Sequence, residues 1–305
     1  MAFRIDAAVC SNMGKVRKNN EDNFFFNGLY MDENQRNSGA MYKQTNVDGS
    51  QLFAVCDGMG GEEGGEDASI AAVRGLQQYT RQETQWDQPQ KLKDMLQSIS
   101  DTIEDNANKK GFHSGTTIAM VVIQHDTLKT VHVGDSRVYC MEGGKLTRMT
   151  VDHSEVQRMY AMGLITAEEM DTHPKRHVIS QFLGMPRDDA MVAPGISQGE
   201  PLKAGKRYLI CSDGLTDMVK DPEIAQILGQ AKTPEEAVQQ LTAAALHHGG
   251  KDNVTTICLF VSAEKNKDNL LKKTRLIKNL SLGGMIASGA LILAGVIMML
   301  MDFLK

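Results

Sequence analysis

Short apolar runs that end at an aspartate, or begin just after one, recur along this chain and constrain its fold more than any other feature. Phe53-Ala54-Val55-Cys56 runs into Asp57-Gly58-Met59-Gly60-Gly61, and Val131-His132-Val133-Gly134 into Asp135-Ser136-Arg137. Tyr208-Leu209-Ile210-Cys211-Ser212 runs into Asp213-Gly214, Gly249-Gly250-Lys251 precedes Asp252-Asn253, and Arg17 is followed by Asn20-Glu21-Asp22-Asn23. The apolar and β-branched stretches predict strands over 5–10, 23–26, 51–56, 116–123, 130–133, 207–211 and 254–261. Helical periodicity occupies 65–82, 90–109, 221–230 and 234–248. Asp221-Pro222-Glu223 and Thr233-Pro234-Glu235-Glu236 read as helix starts, each with a capping residue, a proline in the first turn and acids at the positive dipole end. Strand pairs separated by helix pairs predict an α+β layered fold rather than a doubly wound one.

A carboxylate at the end of a buried strand is held by its backbone yet faces solvent. Several that converge would repel one another unless cations neutralised them. Carboxylates without interspersed Cys or His suit hard divalent ions such as Mg²⁺ or Mn²⁺ rather than Zn²⁺. The glycines after Asp57 and Asp213 are expected to turn the backbone sharply and to let a carbonyl approach a metal.

Charge narrows the partners. The net charge is −5, but the tail from Ser262 carries seven Lys/Arg against three acids, leaving residues 1–261 nine charges negative. So acidic a body argues against nucleic acid, whose phosphates require basic clusters. The five cysteines lie singly in or beside apolar runs, as buried reduced thiols in a reducing cytosol would. Met1-Ala2-Phe3-Arg4-Ile5-Asp6 places charges where a signal peptide needs an apolar core. Residues 280–301 form 22 positions without charge, roughly 33 Å as a helix and enough to span a membrane. Lys272, Lys273, Arg275 and Lys278 precede this run, which predicts a single-pass helix with the body in the cytoplasm. Gly284 and Ser288 could pair such helices. The expected organisation is a domain over 1–262, a basic polar linker over 263–279 and a transmembrane helix over 280–301.

Six motifs in order give the chain a resemblance to the metal-dependent, 2C-type serine/threonine protein phosphatases, and above all to their bacterial members. They are Gly14-x-x-Arg17-x-x-Asn20-Glu21-Asp22, Asp57-Gly58-Met59-Gly60-Gly61, Gly115-Thr116-Thr117, Gly134-Asp135-Ser136-Arg137, Cys211-Ser212-Asp213-Gly214-Leu215 and Gly250-Lys251-Asp252-Asn253-Val254. The resemblance implies a four-layer sandwich of two antiparallel β-sheets flanked by helices, with a binuclear Mg/Mn centre at one edge. It implies that Asp57 bridges the ions, that the Gly58 carbonyl, Asp213 and Asp252 complete one shell, and that Glu21 reaches the second ion. Asp135 and Asp213 would share a third, weaker ion, Arg17 would clamp the phosphate, and Asp22 and Asn253 would support the shell. The implied reaction is hydrolysis of phosphoserine and phosphothreonine on proteins by a metal-activated water, with Arg17, Asp57 and Asp213 as catalytic residues. Phosphorylated substrates of a Ser/Thr kinase are the implied partners. No protein nucleophile is needed, in keeping with the lack of a Cys-x5-Arg signature at Cys140 or Cys211.

One departure stands out. Eukaryotic relatives carry a histidine after the bridging Asp-Gly, assigned as general acid, whereas this chain has Met59. His153, in Asp152-His153-Ser154, is a candidate donor, but a structural histidine is the favoured reading of it. Residues 162–176, with His173 and Arg176, resemble the mobile flap of bacterial members. Two other readings stay open: a phosphatase of small phosphorylated metabolites, and a non-catalytic, membrane-tethered phosphoprotein-binding module.

Overall fold

The computed structural model describes residues 3–264 except 36, 38, 47, 48, 61–63, 83, 84, 189 and 190. Strands β1 (Phe3–Asn12), β2 (Asn23–Phe26), β3 (Ala40–Asn46), β4 (Gln51–Cys56) and β5 (Gly58–Met59) lead into helices α1 (Gly65–Gln82) and α2 (Pro89–Lys110). Next come β6 (Gly115–Thr116), β7 (Ile118–Gln124), β8 (Thr127–Val133), β9 (Arg137–Glu142) and β10 (Lys145–Arg148), then α3 (Glu155–Ala161) and α4 (Ala167–Met170). After β11 (Gly195–Ile196) and β12 (Glu200–Pro201) follow β13 (Arg207–Cys211), α5 (Asp213–Thr216), α6 (Asp221–Gln230), α7 (Pro234–His247) and β14 (Val254–Ala263).

One sheet runs β10-β9-β13-β14-β1-β3, and the other β11-β8-β7-β4-β2 with β12 also on β8. Alternate residues of each strand enter different cores. In β4, Phe53 and Val55 face the other sheet with Val121, Ile210 and Ile257, while Leu52, Ala54 and Cys56 face Leu76, Leu92 and Leu96 of α1 and α2. In β14, Ile257, Leu259 and Val261 point inward, while Val254 and Cys258 pack with Leu215, Leu228 and Leu241 of α5, α6 and α7. Both faces of each sheet are therefore covered, so the strands read as continuous apolar runs rather than alternating ones. The result is the helix–sheet–sheet–helix layering that the resemblance implied. Each large side chain buried here contributes about 1.5–3 kcal/mol.

The short elements β5, β11, β12, α3, α4 and α5 escaped the sequence reading, and so did three longer strands. β3 is a half-exposed edge strand of mixed polarity, and β9–β10 is a hairpin whose Gly143 and Gly144 both take positive φ, the geometry of a tight hairpin turn. Thr233 caps α7 as expected, its hydroxyl accepting from Glu236 N–H. Asp221 does not cap α6. The cap position is Lys220, and Asp221 instead accepts from the Tyr139 hydroxyl at 3.1 Å.

Strand register brings the acids together. Antiparallel pairing sets Cys56 opposite Asn23, Arg137 opposite Cys211, and Cys211 opposite Thr256. Residues that follow β4 and β13 (Asp57, Asp213) therefore lie beside residues that precede β2, β9 and β14 (Glu21 and Asp22, Asp135, Asp252). Residues 265–305, which hold most of the expected linker and the expected span, lie outside the described residues. Among the described residues no helix is long and apolar enough to cross a membrane.

Candidate metal centre

A cleft of about 1390 Å³ opens at that end of the sandwich, lined by Arg17, Asp57, Gly58, Asp135, Asp213 and Asp252 among others. Six of the nine site residues expected from the sequence thus share one surface. The other three stand behind it. Asn253 acts as a clip: its Oδ1 accepts from Glu21 N–H at 2.8 Å, and its Nδ2 donates to the carbonyls of Met13 and Asn19 at 2.9 Å each. Asp22 is buried, with one oxygen accepting from the Ser212 hydroxyl at 2.8 Å. The side chain of Glu21 reaches toward Arg17, 3.9 Å away.

Backbone contacts fix Asp57. Its N–H donates to Thr117 Oγ1 at 3.2 Å, its carbonyl accepts from Thr117 N–H at 2.8 Å, and the Thr117 hydroxyl bonds that of Ser136 at 2.7 Å. Neither Gly58 nor Gly214 is a turn glycine, because neither takes a positive φ. Both are required by close approach instead. A Cβ on Gly58 would lie 2.2 Å from the Gly65 carbonyl oxygen and 2.5 Å from that of Glu21, and a Cβ on Gly214 would lie 1.9 Å from the Asn253 carbonyl oxygen.

The electrostatics are those of negative charge in excess. Burial, and then Asp22, Asp213, Asp135 and Asp252, push the Asp57 carboxyl far above its ordinary range. Burial followed by Asp135, Asp217 and Asp252 does the same at Asp213. Burial raises Asp22 and Asp135 to about 7 each. One oxygen of each of these two is buried without a hydrogen-bond partner. Arg17 is one of the cations that line the cleft, and its Nη2 donates to Asp252 Oδ2 at 2.7 Å. Orphaned carboxylate oxygens, a backbone carbonyl beside them and no cysteine at the site form a donor set that fits hard divalent cations.

Other expectations sort by placement. Met59 and Arg176 line the cleft, and His153 and His173 do not. His153 sits behind the Gly134–Asp135 turn, its N–H donating to Gly134 O at 2.9 Å and its ring 4.8 Å from that of His132. Burial, then His132, lowers it to about 4, so it is neutral and structural. The histidine of the cleft is His177, whose ligand atom lies within 4.8 Å of carboxylate oxygens of Asp213 and Asp217. Sequence reading missed both partners. Asp217 was findable, since it stands one helical turn after Asp213, whereas His177 arrives from a distant segment.

Comparisons with known proteins agree with this geometry. A family model described as Protein phosphatase 2C matches residues 31–253. The chain is 34% identical over 254 residues to the serine/threonine protein phosphatase PstP of Mycobacterium tuberculosis, covering 82% of this chain but 44% of that protein. It is 32% identical over 251 residues to a putative protein phosphatase 2C-type of Streptococcus pyogenes, covering 80% and 93%. The catalytic domain of PstP, crystallised with two manganese ions, superposes with a TM-score of 0.69 at 30% identity, over 86% of this chain and 100% of that one. Stp1 of Staphylococcus aureus gives 0.70 at 30% identity, over 85% and 95%. With its acids gathered at one end of a two-sheet sandwich and its sequence matched over most of its length, the chain belongs to the protein phosphatase 2C family.

Proposed function

We propose that residues 1–262 are a metal-dependent phosphatase acting on phosphoserine and phosphothreonine in proteins, with two Mn²⁺ or Mg²⁺ ions and a third, weaker one. The observation that carries this is the convergence of Asp57, Asp135, Asp213 and Asp252 in one cleft with too little positive charge to balance them. Asp57, the Gly58 carbonyl, Asp213 and Asp252 would hold the first ion, Glu21 would serve the second, and Asp135 and Asp213 the third. Bound cations would supply charge neutralisation for a phosphate dianion and a water of lowered pKa.

The chain's own residues do the rest. Arg17, half-exposed at the mouth, offers two terminal nitrogens and can exchange the Asp252 oxygen for two phosphate oxygens held bidentately. Asn253 fixes the Glu21 backbone, and Thr117 with Ser136 fixes that of Asp57, so the acids need little rearrangement during reaction. Met59 cannot donate a proton, and His153 lies outside the cleft. The cleft exceeds the roughly 300–1,000 Å³ of ordinary small-molecule pockets, which favours a peptide over a metabolite. Asp57→Asn should abolish Mn²⁺-dependent hydrolysis of a phosphothreonine peptide with circular dichroism unchanged. Turnover equal to that of the unaltered enzyme would reject the mechanism.

The uncharged run 280–301 and its basic flank support a single-pass anchor, joined by the 263–279 linker, with the catalytic domain facing the cytoplasm. Carbonate-resistant sedimentation of the full chain with membranes tests this. A Ser/Thr kinase would supply the phosphorylated substrates, since hydrolysis of phosphoserine or phosphothreonine requires that it first be made.

A further inference from the structure

Beyond the converging acids of the metal centre, some carboxylates on the cleft wall have a cationic partner, whereas among the described residues the lysines along one rim have no anionic one. Asp152 is held by Arg137 and Arg148, and Asp171 by Lys220. On the Arg17 side, Lys15, Lys18 and Lys251 are exposed, and among the described residues none forms an ion pair. Backbone contacts make this rim one unit. Lys15 N–H donates to Gly250 O at 2.7 Å, and Gly14, at φ +82°, lets the loop press against Asp252, where a Cβ would stand 2.2 Å from the carbonyl oxygen. Arg17 and Lys251 line the cleft itself, and Lys15 and Lys18 flank Arg17 along the chain.

We propose that this rim binds acidic side chains flanking the phosphorylated residue, so that the enzyme prefers phosphoproteins with Asp or Glu beside the phosphosite. The inference rests on the phosphatase reading above. Three like charges left uncompensated on a body of net charge −9 form a local positive field. Such a field speeds encounter with acidic segments, and salt screens it.

The test compares full-chain enzyme with its Lys15→Gln/Lys18→Gln variant on two phosphothreonine peptides, one flanked by Glu and one by Gln, with p-nitrophenyl phosphate as the reporter of chemistry. The expected result is an unaltered enzyme that favours the Glu peptide in kcat/KM. The variant should lose about fivefold on that peptide at low salt and keep its rates on the other two substrates. High salt should erase the preference. Fluorescence anisotropy reads peptide affinity without turnover, so a Glu preference in binding with no hydrolysis anywhere would reject the phosphatase reading and keep the rim. Equal preference in the two enzymes would overturn the proposal. So would a variant that loses only its binding to phosphatidylserine vesicles, which would assign the rim to lipid.

Discussion

Replacing Asp135 with Asn should stabilise the metal-free protein, and only above acidic pH. Burial first, and then Asp152, hold this carboxyl at about 7 against an ordinary 3.8, with Arg137 pulling the other way. Because the folded-state pKa lies above the unfolded one, ionisation costs folding energy. The cost is absent below 3.8, grows between 3.8 and 7, and is constant above 7. At 1.36 kcal/mol per unit, a rise of about three units sets a ceiling of about 4 kcal/mol on what Asn regains at pH 8. Relaxation around a buried charge reduces this to about 2 kcal/mol, which is about 4–8 °C in Tm for a domain of this size. Thermal melts in chelator at pH 4, 6 and 8 measure it: a gain at pH 8, a smaller one at 6 and none at 4. Mn²⁺ should reverse the order, because the cation stabilises the carboxylate and not the amide. An Asn variant melting below the unaltered protein in chelator at pH 8 would refute the claim that uncompensated charge dominates this site.

Gly58→Ala should cost more than a methyl group suggests. The new Cβ meets two backbone oxygens rather than a flexible side chain, so a loss of about 1–3 kcal/mol and a collapse of Mn²⁺ affinity are expected by urea denaturation and calorimetry. Asn253→Ala removes three hydrogen bonds that join Glu21, Met13 and Asn19, about 1 kcal/mol each; a variant within 0.5 kcal/mol of the parent on that same scale would show the clip to be dispensable. His153→Asn should leave the pH profile of kcat unchanged, since the imidazole is held neutral outside the cleft. A lost alkaline limb would make it the general acid after all.

Much of the fold was legible in the primary structure because burial on both faces leaves a plain apolar signature. Strands 23–26, 51–56 and 207–211 and helices 65–82 and 221–230 have the boundaries their patterns predict. The edge strand β3 and the β9–β10 hairpin were not legible, since half-exposed strands carry mixed polarity and only their neighbours tell them from loops. Glu21, Asp57, Asp135, Asp213 and Asp252 were legible too, as each closes an apolar run or stands just before one, whereas Asp217 of the same cleft was missed.

What the amino-acid order determined by itself is which residues are strand, helix and carboxylate, since periodicity and composition act locally. Tertiary structure alone decided which carboxylates meet and at what cost. Antiparallel register carried Glu21, Asp57, Asp135, Asp213 and Asp252 from positions up to 231 residues apart to one end of the sandwich, and burial there turned ordinary acids into strongly perturbed ones. It likewise gave Gly58 and Gly214 their reason, which is the nearness of another backbone rather than a turn. Register, burial and close approach are relations between distant segments, and no local pattern encodes them.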